Sequence, residues 1–124
     1  MRLSVITCSL GVVFVVAIAV LHGSGYAYFT TEMSNSNAPA FLKDMFEVLY
    51  IIPSLYLLVL AAFGTLALLR PNYRRPICLI LAPAVVAAGL LALMLGEWIP
   101  VAVMGSGGSL FAIAALTSRA AQPD

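Results

Sequence analysis

Charge is what this sequence has least of. Asp, Glu, Lys and Arg make up 9% of its 124 residues, while 63% are hydrophobic. Soluble domains carry roughly 25% charged and about 45–50% apolar residues. Six basic and five acidic side chains cannot cover a water-facing surface around so much apolar material. A disordered chain needs low hydrophobicity. Both classes are excluded, and a lipid bilayer is the solvent that remains.

Other shortages narrow the function. The two cysteines, Cys8 and Cys78, show no CxxC spacing and join no His/Cys cluster, so the usual metal and redox motifs are missing. They read as small packing residues. His22 is the single histidine, which excludes bis-histidine haem ligation by one chain. The net charge is +1 with no basic stripe, so no nucleic-acid partner is expected. No Gly-rich phosphate motif, Ser/His/Asp constellation or metalloprotease helix is present. No ionisable residue interrupts a long apolar run, whereas proton-coupled carriers and pumps keep one at midplane. No cofactor or catalytic residue is predicted, and the reading leans away from an enzyme.

What is there is four long apolar runs: Leu3–Leu21, Val48–Leu69, Ile77–Gly96 and Ile99–Ser118. About 20 residues at 1.5 Å each cross a hydrocarbon core of roughly 30 Å. Backbone groups in lipid must be satisfied internally, so the runs are expected as helices. The fold class is all-α integral membrane, a single up-down four-helix bundle over residues 1–124. The first run exceeds the roughly 7–15 residues of a signal-peptide core, so it reads as a span.

Basic residues set the orientation. With the N-terminus inside, the cytoplasmic side carries Arg2, Arg70, Arg74, Arg75 and Arg119, and the outer side only Lys43. Glu32, Asp44, Glu47 and Glu97 fall outside. The expected localisation is a bacterial inner membrane with both termini cytoplasmic. Residues 22–47 form an outer segment: a polar loop to about Ala38, then a short amphipathic helix. In that helix positions 41, 42, 45, 46, 49 and 52 share one face and Lys43, Asp44 and Glu47 the other. Asn37 is placed to cap it, and Pro53 to bend the chain. Residues 70–76 form a cytoplasmic turn whose arginines meet water and headgroups.

In lipid, helices associate where small residues let backbones approach. The first span offers Ser4, Cys8, Gly11, Val15, Ile18 and His22, and the second Glu47, Tyr50, Ser54, Leu57, Ala61 and Gly64. The third offers Ala84, Ala88, Ala92 and Gly96, and the fourth Ala102, Gly105, Ser109 and Ala112. The last two stripes are expected to meet within a hairpin. Gly105-Ser106-Gly107-Gly108 marks either close helix approach or a broken helix lining a binding site.

One cluster could carry chemistry. His22, Glu47, Tyr50, Ser54 and Glu97 lie at similar depth near the outer boundary, and a histidine among carboxylates can hold a metal or relay protons. The other reading is interfacial side chains satisfying one another.

The layout resembles small four-helix bacterial membrane proteins of the DoxX-like type. The resembling features are a first span ending at His22-Gly23, the amphipathic Phe41–Ile52 lead into the second span, the Arg70–Arg75 turn and the Gly96–Pro100 hairpin. The resemblance implies the fold, and no motif carries an activity over. Three functions stay open: a non-catalytic or accessory membrane subunit, which the packing stripes favour; a small oligomeric channel or carrier using the glycine-rich fourth helix; and a redox or metal-binding subunit using the outer cluster. The expected partners are the bilayer and either a second copy or a larger membrane complex.

Overall fold

The structure is a computed structural model that describes residues 2–94 and 96–118. Five α-helices follow one another: α1 (Arg2–Ser24), α2 (Tyr26–Asn35), α3 (Ala40–Leu69), α4 (Arg74–Met94) and α5 (Trp98–Thr117). A 3₁₀ turn, Pro71–Tyr73, leads into α4. No strand occurs among the described residues. Four helical stretches are long and apolar enough to cross a membrane: α1 with α2, α3, the 3₁₀ turn with α4, and α5.

α5 packs most extensively on α4 and α1, and α1 also packs on α3. A lesser α3–α4 contact closes the ring of four. The buried positions of α1 are Ser4, Thr7, Cys8, Gly11, Val15, Ile18 and Ala19. Those of α3 are Ser54, Leu57, Leu60, Ala61, Gly64 and Ala67. The expected stripes on these two helices therefore turn inward over most of their length.

Phe111 of α5 is the largest fully buried side chain. A Cβ at Gly11 would stand 3.1 Å from its ring, and one at Gly64 3.3 Å. The two glycines form the walls of a slot for the ring.

The α4–α5 hairpin forms, with the expected stripes flanking its seam. Ala84, Ala88 and Ala92 are half-buried, Ala84 and Ala88 packed against the core, while Cys78, Leu81, Val85 and Gly89 face fully inward. On α5, Ala102 and Ser109 are exposed, and Gly105 and Ala112 are half-buried. The close approaches run instead from Gly89 to Met104 and from Gly108 to Val86 and the Ala82 carbonyl. Small residues occupy several faces of both helices, so their spacing does not single out the partnered one. Gly96 has φ +80° in the tight turn, a conformation glycine adopts freely. α5 runs unbroken through Gly105–Gly108, so this segment is a site of close approach rather than an interrupted helix.

The segment expected as a polar loop is largely helical. Tyr26, Thr30 and Met33 of α2 are half-buried at helical spacing. The Thr30 and Thr31 hydroxyls donate to the carbonyls of Tyr26 and Ala27, each at 2.8 Å, so the threonines are satisfied within the helix. Lys43 Nζ donates to the Ser34 carbonyl at 2.6 Å, which caps the C-terminal end of α2. α3 starts directly after Pro39 without a side-chain cap from Asn37, and it is continuous through Pro53.

Candidate functional site

Polar side chains gather at the two ends of the bundle. At the acidic end, the His22 and Tyr50 rings stack with centroids 4.5 Å apart at 24°. The Tyr50 hydroxyl donates to the His22 carbonyl at 3.1 Å. His22 Nδ1 lies 3.0 Å from the Ser54 hydroxyl, and the tautomer decides which of them donates. Tyr26, Phe29 and Phe46 surround Tyr50 with centroids 5.5–6.0 Å away. A Cβ at Gly25 would fall 2.6 Å from the Tyr50 hydroxyl, so glycine lets that hydroxyl reach the α1 backbone.

This cluster fastens α1 and α2 to α3. The structure brings His22, Tyr50 and Ser54 together as expected. Glu47 and Glu97 are exposed, and neither carboxylate makes a hydrogen bond or ion pair among the described residues. No group of three or more His, Cys, Asp or Glu side chains able to hold a metal occurs among the described residues. His22 spends one ring nitrogen on Ser54 and its face on Tyr50, so its part here is that of a clasp.

Stacked rings contribute about 0.5–1.5 kcal/mol beyond the area they bury. Tyr50→Ala should therefore free α2 and leave the α4–α5 hairpin intact. Hydrogen exchange read by mass spectrometry should show protection lost across residues 26–35 and kept across 78–94. Unchanged protection of α2 would contradict this role.

At the basic end, two pairs of residues face each other across α1 and α4. Ser4 and Cys8 are one turn apart on α1, and Arg74 and Cys78 one turn apart on α4. Arg74 is 5% exposed. Its Nε donates to the Ala67 carbonyl at 3.1 Å, Nη2 to the Leu68 carbonyl at 3.3 Å and Nη1 to the Ser4 hydroxyl at 3.4 Å. One turn along, Cys78 Sγ donates to Cys8 Sγ at 3.8 Å, and Cys8 Sγ to the Gly64 carbonyl at 3.7 Å.

The last carbonyls of a helix have no partner within it. Arg74 satisfies two of those at the end of α3. This corrects its expected place among headgroup-facing residues. Arg2, Arg70 and Arg75 are exposed. Arg119 lies outside the described residues. No carboxylate pairs with Arg74 among the described residues; Glu32, Asp44, Glu47 and Glu97 belong to the far end. Sequence alone placed both cysteines at similar depth near one end of the spans and read them as small packing residues; their contact was not legible because positions 8 and 78 meet only through tertiary packing.

The third feature is an open groove of about 740 Å³ between α1 and α5, with Leu10 and Phe14 on one side and Gly105, Ser106, Ser109 and Ile113 on the other. A Cβ at Gly105 would meet nothing within 4 Å. The Ser106 and Ser109 hydroxyls donate to the Ala102 and Gly105 carbonyls of their own helix, each at 2.8 Å. Compared with known protein families, curated proteins and solved structures, the chain matches none.

Proposed function

We propose that this chain is a non-catalytic subunit of a bacterial inner membrane that acts by associating laterally with another transmembrane helix. Four helices with the length and apolarity to cross a bilayer support the membrane assignment. The basic end carries Arg2, Arg70, Arg74 and Arg75 and the acidic end Glu47 and Glu97, which supports termini on the cytoplasmic side. A layout of the DoxX-like type remains part of this proposal, resting on the His22-Gly23 end of the first span and the Arg70–Arg75 turn.

The observation that carries the reading is the α1–α5 groove. The slot for Phe111 is filled, whereas this face is concave and floored by small residues. Lipid tails are as apolar as leucine, so association in a bilayer depends on close backbone approach and interhelical hydrogen bonds. Gly105 supplies the open space, and Ser106 and Ser109 supply hydroxyl oxygens that can still accept a hydrogen bond while donating to their own helix.

The test is native mass spectrometry of the protein extracted in nanodiscs of its own lipids. Wild type should fly as an assembly, with integral multiples of 13.1 kDa identifying a second copy and other masses a different subunit. Gly105→Leu should fold with unchanged helix content and fly as a single chain. A single-chain wild type, or an undiminished Gly105→Leu assembly, sinks the proposal.

A further inference from the structure

Lateral association leaves the two thiols at the basic end unused. Cys8 and Cys78 have no exposed surface, and both are free. Their sulfurs, 3.8 Å apart, are in non-bonded contact, and a disulfide needs about 2.05 Å. Their hydrogen bonds have a direction. Cys78 donates to Cys8, and Cys8 to the Gly64 carbonyl. When Cys8 loses its proton it gives up its bond to the Gly64 carbonyl but keeps the Cys78 S–H, whereas a deprotonated Cys78 would depend on the Cys8 S–H turning away from that carbonyl.

Arg74 adds a positive charge one turn from Cys78, held in place by three hydrogen bonds. Its Nη1 bond to Ser4 also sets that charge one turn from Cys8, where it favours negative charge on sulfur. The thiolate is the attacking form of a cysteine.

We propose that Cys8 and Cys78 are a reversible thiol–disulfide couple oxidised by hydrogen peroxide, with Cys8 the attacking sulfur and Cys78 the resolving one. Burial sets the class of oxidant: between packed helices only a small neutral peroxide, not a ring-sized oxidant, has the size to reach fully buried sulfurs. Cys8 gives up its proton and its sulfur attacks one peroxide oxygen. The O–O bond breaks, and the departing hydroxide takes that proton as water, leaving Cys8 as a sulfenic acid. The Cys78 sulfur then attacks the Cys8 sulfur. The S–S bond forms, and the sulfenic hydroxyl leaves with the Cys78 proton as a second water. The two thiols lose two electrons and two protons, and one peroxide becomes two waters. Arg74 is a positioning residue that favours charge on the attacking sulfur. The product ties α1 to α4 across the bundle.

The full chain in lipid nanodiscs is treated with hydrogen peroxide, denatured in detergent and labelled with maleimide-polyethylene glycol. Two adducts are expected before treatment and none after, on a chain that stays monomeric in non-reducing gels. Dithiothreitol should restore both adducts. In Cys78→Ser, dimedone should trap a sulfenic acid on Cys8, whereas in Cys8→Ser it should leave Cys78 unlabelled. Arg74→Gln should slow oxidation about tenfold, the size expected when one nearby opposite charge is lost, and Arg74→Lys should restore most of the rate. Persistent double labelling after peroxide, disulfides only between chains, or dimedone labelling of Cys78 in preference to Cys8 overturns the proposal. Equal slowing in Arg74→Gln and Arg74→Lys overturns the part given to charge.

Discussion

Phe111→Ala is expected to lower the stability of the bundle by about 3 kcal/mol, the low end of the range for deleting a buried phenylalanine. The low end follows from the proposed membrane setting, in which a separated helix still places the ring among apolar tails and the transfer from water drops out. What remains is lost packing. The ring touches two helices at once, within 3.1 Å of a Cβ position on Gly11 and 3.3 Å of one on Gly64. Removing it leaves a void whose opposite walls already lack side chains, so little can move in to fill it. Unfolding by SDS in mixed micelles, followed by circular dichroism, should show the midpoint falling well below wild type, with Phe111→Leu between them. An unchanged midpoint would show that the slot is not where the bundle is held.

Gly108→Val should be at least as damaging, for the opposite reason. A Cβ there would stand 2.6 Å from a Val86 methyl and 3.0 Å from the Ala82 carbonyl oxygen. The methyl can rotate away, but the carbonyl is part of the α4 backbone, so relief requires the two helices to separate. Overpacking costs about 1–3 kcal/mol where side chains can adjust, and more where they cannot. The expected loss is therefore about 3 kcal/mol or more, read by the same titration. Gly105, one turn earlier, is the control: nothing lies within 4 Å of its Cβ position, so Gly105→Val should leave the midpoint near wild type. If the two variants behave alike, helix propensity rather than contact with α4 governs this segment.

These two glycines show where sequence reasoning ran out. The inward faces of α1 and α3 were legible because each carries small and polar residues on one side and large aliphatic ones elsewhere. Gly11 and Gly64 stand out on such helices. On α4 and α5, alanine and glycine recur on several faces, so spacing alone pointed to Ala84, Ala88 and Ala92, of which Ala84 and Ala88 pack at the edge of the core, and not to Val85 and Gly89, which are fully buried. The helix in the outer segment was obscured by its threonines and serines, which read as loop formers until their hydroxyls are seen bonded to the preceding turn. Arg74 was hidden for a different reason. An arginine that snorkels to headgroups and one that folds back onto carbonyls look the same in sequence, and only the turn after Leu69 brings Arg74 over the end of α3. The aromatic clasp was half visible: Tyr50 and Ser54 were expected beside His22, but the carboxylates expected with them are not.

The helices also differ in height. At 1.5 Å per residue, α1 with α2 runs about 50 Å and α3 about 45 Å, while α4 and α5 reach only about 30 Å, the depth of a hydrocarbon core. The molecule thus has a tall half and a short half. The tall half ends in a two-helix mast fastened near its summit by Lys43 on Ser34 and lower down by the Tyr50 rings. α1 and α3 both run from this mast to the thiol pair, α1 through Cys8 and α3 through the Gly64 carbonyl that Cys8 bonds, so a load applied at the summit is shared by two helices that converge on the same sulfur.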